Sequence, residues 1–141
     1  MDLTDGEFLT QFEDCSLDPE LFSHEAHLRL AWSLIRRDGI ENSIYQICDQ
    51  IQSFDQTYGD GMKFHKTLTV ACIYAVYHFM LKSKADTFAD FISENPRLTT
   101  NLKELILQHY SEDVFKNSEA KTGLLQPDLV PYDDWFPKLV K

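Results

Sequence analysis

Hydrophobic residues recur every three or four positions along most of the chain, a spacing that places them on one face of a helix. The clearest run begins at Ile40 and ends at Tyr58, just before the turn-forming sequence Gly59-Asp60-Gly61. We find no stretch in which apolar and polar residues alternate with the two-residue period of a strand. The pattern therefore predicts an all-α protein.

Capping residues and helix breakers divide the chain into about five to six helices. Thr4 and Glu7 have the spacing of a capping box, Ser23 is a typical N-cap, and Asn95-Pro96 should close a helix. The predicted helices are 4–15, 24–37, 40–58, 63–82, 86–94 and one that is capped at residue 100 or 101 and reaches 110, with helical turns at 111–116 and 118–122. We expect residues 1–141 to form a single domain and compact helical bundle, with residues 124–141 as a mostly irregular tail packed on it.

Composition and charge limit the classes of partner. The 141 residues are 43% hydrophobic and carry a formal net charge of -10, which argues against a nucleic-acid partner and against binding to an anionic membrane. The stretch Leu68–Leu81 is too short and too interrupted to cross a bilayer, which takes about 20 apolar residues. No signal peptide is visible. We therefore expect a cytoplasmic protein, and composition leaves open a protein partner or a homo-oligomer.

Three histidines are the strongest candidates for chemistry. His24 and His27 lie three positions apart at the start of the second predicted helix, so they share a helix face, which we expect to be the inward one. His65 lies near the start of the fourth predicted helix. If the helices alternate in direction, both helix starts lie at the same end of the bundle, and the three imidazoles meet.

Three imidazoles form a known ligand set for a divalent transition metal, namely Zn, Fe, Cu or Ni, with a coordination position left for water or substrate. The candidates for a fourth ligand, or for a residue that hydrogen-bonds to a ligand, are Glu25, Asp60, Cys72 and Tyr74, and spacing favours none of them.

Two other interpretations compete with the metal site. Helix N-termini favour anions, so a carboxylate or phosphate could be held by the three histidines together with Arg29 and Lys63. The histidines could also be ordinary structural residues, because an isolated pair of histidines three residues apart is a weak motif.

Five segments resemble the pattern of a family of small uncharacterised helical proteins. That pattern is F-x-H-x-x-H-L-R-L-A-W, then Y-H-E-T-L-T, then Y-S, then S-x-E-A-R, then P-D-L. The matching segments are Phe22–Trp32, Lys63–Thr69, Tyr110-Ser111, Ser118–Lys121 and Gln126–Leu129. The family has no settled activity, so the resemblance implies one shared site without naming a reaction. It places Arg29, Thr67 and Thr69 near His24, His27 and His65.

The chain departs from that pattern at two of its charged positions. Lys66 stands where the family has Glu, and Lys121 stands where it has Arg. A lysine beside His65 would make the site more favourable for anions. If the family's Glu acts as a base or a ligand, this chain has lost that function.

Two functional hypotheses follow. In the first, His24, His27 and His65 hold a metal, Arg29 and Lys66 pair with a small anionic ligand, and Thr67 or Thr69 donates hydrogen bonds to it. The sequence identifies no catalytic residue and does not decide whether the protein is an enzyme. In the second, the protein is a non-enzymatic interaction or regulatory module with structural histidines. Protein contacts would then be made by the acidic surface and by the aromatic tail at Tyr132, Trp135 and Phe136.

Overall fold

The computed structural model describes residues 3–62 and 64–129, and within these ranges the chain contains helices and no strand. The all-α prediction is therefore confirmed. The α-helices of the described residues are α1 (Asp5–Glu13), α2 (His24–Asp38), α3 (Ile40–Tyr58), α4 (Lys66–Met80), α5 (Phe88–Glu94), α6 (Arg97–Thr100), α7 (Leu102–Leu107), α8 (Glu112–Lys116) and α9 (Ser118–Thr122), with a 3₁₀ turn at Pro19–Leu21.

Contacts group the chain into two compact units, Met1–Phe64 and His65–Lys141. The first contains α1 to α3 and the second contains α4 to α9. The expectation of a single domain stays a prediction. Of the predicted tail, residues 124–129 belong to the described second unit, whereas 130–141 lie outside the described residues.

The predicted caps set the helix boundaries in the first unit. The Thr4 side chain accepts a hydrogen bond from the Glu7 amide at 3.1 Å, and the Glu7 carboxylate accepts one from the Thr4 amide at 3.0 Å. The Ser23 hydroxyl accepts from the Ala26 amide at 3.2 Å and begins α2. Gly39 separates α2 from α3 at a φ of 85°, a left-handed conformation that favours glycine.

The core of the first unit contains a cluster of aromatic rings. Helix α2 packs on α3, and α1 contacts both. The ring centroids of Phe12 and Phe22 are 4.8 Å apart, and those of Phe22 and Phe54 are 5.0 Å apart. Leu17 and Leu34 are fully buried. The apolar faces read from the sequence thus pack together, and the segment before α2 contributes Phe22 to that packing.

Helix α4 packs against α7 and α9 in the second unit. The residues of this unit with no exposed surface include Val70, Val76, Phe91, Leu98 and Tyr110. These residues come from α4, α5, α6 and the segment after α7, so the core of this unit joins the long helix α4 to several short helices.

The predicted start of α4 is wrong, and its predicted buried face is correct at Val76 but wrong at Leu68. The helix begins at Lys66 rather than at Lys63, which lies outside the described residues. Leu68 was expected to face inward but is 39% exposed, whereas Thr67 is fully buried. Helix α4 is apolar on most of its circumference, so its hydrophobic pattern fits more than one inward face. Within the described ranges, no helix has both the length and the apolarity needed to span a membrane.

The predicted sixth helix corresponds to α7 (Leu102–Leu107), which begins after Asn101 as expected and ends before Tyr110, whereas the short helix α6 that precedes it was not predicted. Helix α6 ends at Thr100, Asn101 adopts a non-helical conformation with φ of -134°, and α7 begins at Leu102. The Asn101 amide donates to the Arg97 carbonyl at 2.8 Å and so caps the end of α6. Asparagine at this position therefore ends one helix rather than only beginning the next.

Candidate functional site

His65 is the N-cap of α4. Its Nδ1 lies 3.1 Å from the Leu68 amide nitrogen and accepts that hydrogen bond, so Nδ1 carries no proton. Its Nε2 lies 3.2 Å from the carbonyl oxygen of Phe115 and must donate, because a carbonyl can only accept. Both ring nitrogens of His65 are therefore used within the second unit, and a metal bound at either would displace a hydrogen bond.

Thr67 lies two residues after His65 and hydrogen-bonds to residues near the C-terminal end of the described chain. Its hydroxyl donates to the Gly123 carbonyl at 2.7 Å and accepts from the Leu125 amide at 3.1 Å. The side chain is fully buried. We refer to residues 123–129 as the C-terminal strap. Thr67 was predicted to bind a ligand, and in the structure its hydroxyl holds this strap against α4.

The strap is also bound by residues that follow α7. The Tyr110 hydroxyl donates to the Leu125 carbonyl at 2.9 Å. Both the amide and the hydroxyl of Ser111 donate to the Asp128 carboxylate, at 2.8 and 2.6 Å. The Leu129 amide donates to the His109 carbonyl at 2.9 Å. The strap is thus joined to the second unit at both of its ends.

These contacts change the acidity of two groups. The hydroxyl and amide of Ser111 stabilise the carboxylate of Asp128 and lower its pKa below the usual aspartate value. Burial raises the pKa of Tyr110, and the negative charge of Asp128 adds to that increase. Asp128 is therefore held as an anion, and Tyr110 as a neutral hydrogen-bond donor.

Reasoning from residue types missed this network. We proposed no role for Tyr110, Ser111 or Asp128, since neither their spacing nor their chemistry distinguishes them. The available signal was the resemblance, in which Y-S and P-D-L belong to the same pattern as the His65 and Thr67 segment. The structure gives that pattern a physical meaning, because segments distant in sequence share hydrogen bonds in one unit.

His24 and His27 occupy the first turn of α2, and both residues are exposed. The expectation that they lie on the inward face of the helix is wrong, because the buried positions of α2 begin at Ala26 and Leu28. The His27 ring stacks on Phe22 with centroids 3.7 Å apart, and its Nδ1 donates to the Ser23 carbonyl at 2.7 Å. Desolvation lowers the pKa of His27 below 6.5, with a smaller contribution from His24.

The Arg29 guanidinium connects α2 to the N-terminal helix. It lies 2.8 Å from the Asp5 carboxylate, donates to the Leu3 carbonyl at 2.7 Å and covers the Phe8 ring at 4.9 Å. These contacts fix the orientation of the Arg29 side chain within the first unit. Its predicted role as a partner for an anionic ligand stays a prediction.

Lys66 and Thr69 are half-buried residues of α4. The Thr69 amide donates to the His65 carbonyl at 2.9 Å as part of the first helical turn. Ligand binding by either residue stays a prediction. Cys72, a candidate fourth ligand, lies further along α4, and burial raises the pKa of its thiol to about 12. The thiolate, which is the form that binds metals, is thereby disfavoured.

Among residues 3–62 and 64–129, no group of three or more His, Cys, Asp or Glu side chains is arranged to hold a metal ion. His65 hydrogen-bonds to Phe115 of α8 within its own unit, and His27 stacks on Phe22 in the other unit. Metal binding by the three histidines stays a prediction.

We expect Thr67→Val to lower the free energy of unfolding by about 2 kcal/mol, because two backbone groups of the strap lose a buried partner. Urea denaturation followed by circular dichroism measures the change. Thr69→Val is the matched control, since the Thr69 hydroxyl makes no hydrogen bond within the described residues, and we expect a change within about 0.5 kcal/mol. Equal effects of the two substitutions would contradict a special role for Thr67.

We expect the stability of the wild type to fall as the pH is lowered below about 6.5, in part because of His27. Desolvation lowers the pKa of His27 in the folded state below the ordinary histidine value of about 6.5, so the unfolded chain binds more protons in this range. His27→Phe can keep the stacking on Phe22 but cannot titrate. The unfolding free energy of the wild type minus that of the variant should therefore decrease with acidification. A constant value between about pH 7.5 and 5 would refute the assignment.

Comparison of the chain with family models, with curated proteins and with solved structures finds no match. The family resemblance of the five sequence segments stays a prediction.

Proposed function

We propose that this protein is a non-enzymatic interaction module in which the histidines serve the fold and the acidic, aromatic C-terminal residues bind a protein partner. The observation that carries the proposal is the hydrogen-bonded strap. His65 and Thr67 were the leading candidates for chemistry in the second unit, and both use their polar atoms to bind the segment after α7. These contacts support a structural role for the two residues.

Hydrogen bonds hold the strap up to the residue that directly precedes position 130. Its final hydrogen bond, from the Leu129 amide to the His109 carbonyl, occurs at the last described residue. Leu129 is 55% exposed. Residues 130–141 follow Leu129 directly in the sequence. An anchored attachment point lowers the entropy that a binding segment loses on association.

The composition of residues 130–141 suits protein recognition. This segment contains five consecutive aromatic or acidic residues, Tyr132, Asp133, Asp134, Trp135 and Phe136. Tyr and Trp are enriched among the residues that contribute most to binding energy at interfaces. The two aspartates and the net charge of -10 favour a partner whose surface is basic and carries apolar pockets.

The test is comparative capture by the tagged full chain from a cell extract, quantified by mass spectrometry. Trp135→Ala/Phe136→Ala should reduce the recovery of a specific partner about tenfold or more, since losing hot-spot aromatics costs about 2 kcal/mol or more. Tyr45→Ala is the matched control, because Tyr45 is an aromatic residue of α3 that is 59% exposed. Recovery should be unchanged in this control.

His24→Ala/His27→Ala separates the interaction module from a site built on the histidines. We expect this variant to capture the same partner as the wild type. A partner retained equally by the aromatic variant and by the wild type would contradict the proposal. Loss of the partner in the histidine variant alone would also contradict it.

The second candidate function is binding of a divalent transition metal, with a small anionic ligand, by His24, His27 and His65. The chemistry of His27 favours it. The Nδ1 proton of His27 is directed to the Ser23 carbonyl, so Nε2 carries the lone pair that a metal needs. The lowered pKa of His27 keeps the ring neutral at physiological pH, and metals bind neutral imidazole.

Elemental analysis of the untagged protein tests the metal candidate directly. Roughly one metal ion per chain, lost in both His65→Ala and His24→Ala/His27→Ala, is the expected result for a three-histidine site. His109→Ala is the matched control and should retain the metal. Failure to bind Zn, Fe, Cu or Ni after incubation with each salt would reject this candidate.

A further inference from the structure

The C-terminal strap is bound to the second unit at two separate places. At the inner place, Leu125 is held through its amide by Thr67 and through its carbonyl by Tyr110. At the outer place, Asp128 accepts two hydrogen bonds from Ser111. Pro127 lies between them and has no amide hydrogen to donate.

The two places differ in their access to water. Thr67 and Tyr110 have no exposed surface, so breaking their bonds would leave buried polar groups without partners. Asp128 and Leu129 are exposed residues, and water can replace their hydrogen bonds when the contact opens. Exposed hydrogen bonds typically open locally at a lower free energy than buried ones.

We propose that Ser111 and Asp128 form a latch that opens while Leu125 stays bound, releasing residues 126–129 without unfolding the second unit. Closed, the latch holds the end of the strap beside His109. Open, it frees the four residues that precede the acidic, aromatic segment. The latch is a feature of the fold, and its use as a control on partner binding rests on the function proposed above.

The chemistry of the latch is suited to a reversible contact. One carboxylate accepts from both an amide and a hydroxyl of the same residue, so the Asp128 side chain makes both hydrogen bonds to Ser111. A basic group on a partner would compete for Asp128 with Ser111, since a carboxylate pairs strongly with a cation. Binding of a basic partner to the following residues would thereby favour the open latch.

Amide hydrogen exchange of the isolated full chain, followed by nuclear magnetic resonance, tests the latch. In Asp128→Ala, the Ser111 and Leu129 amides should exchange about tenfold faster than in the wild type, whereas the Leu125 amide should be unchanged. Ser111→Ala removes only the hydroxyl donor and should accelerate Leu129 exchange less. Asp128→Asn keeps an acceptor for the Ser111 amide. The exchange rate of the Leu129 amide in this variant should therefore lie between those of the wild type and Asp128→Ala.

Thr67→Val is the control that shows the inner contact can be detected, because it should accelerate exchange at Leu125. Equal acceleration of Leu125 and Leu129 in Asp128→Ala would overturn the latch, since the strap would then open as one unit. No acceleration at Leu129 would overturn it as well. These measurements need no partner. Their result therefore tests the latch separately from the proposed protein binding, which the capture experiment tests.

Discussion

The buried hydroxyl of Thr67 is the interaction on which the arrangement of the second unit depends. A hydroxyl removed from water needs a donor or an acceptor within the protein, and Thr67 finds both in the strap, at Gly123 and Leu125. The dependence is mutual, because the strap groups have left water for the same contact. The burial of Thr67 on α4 therefore requires the strap, residues 123–129, to be in place, and the strap requires Thr67 to be buried against it. The Tyr110 hydroxyl reinforces it from the other side through the Leu125 carbonyl.

The histidines show how one side-chain chemistry serves different purposes. An imidazole nitrogen with a lone pair can bind a metal, and it can equally accept a backbone hydrogen bond at the start of a helix. His65 does the latter for Leu68, while its other nitrogen donates to Phe115. His27 instead depends on the aromatic cluster of its own unit, where stacking on Phe22 and desolvation favour the neutral ring. The surroundings of each ring decide which role is open to it.

Local signals in the sequence predicted most of the helix boundaries. The capping box at Thr4, the cap at Ser23 and the glycine after α2 act through neighbouring backbone groups, so a few residues contain all the information they need. The apolar repeat of α3 was equally informative. Asn101 was harder to interpret, because the same residue that can cap the start of a helix here also ends the preceding one.

The sequence by itself determined the fold class, the main helices and the segments that contain the unusual residues. Tertiary structure decided which face of α4 is buried. Thr67 is fully buried and Leu68 is 39% exposed, although leucine is the more apolar residue. Tertiary structure also decided that Tyr110, Ser111 and Asp128 belong with the segment of His65 and Thr67. The physical reason is that hydrogen bonds between residues about 15 to 60 positions apart leave no periodic trace in the chain, whereas caps and apolar stripes do.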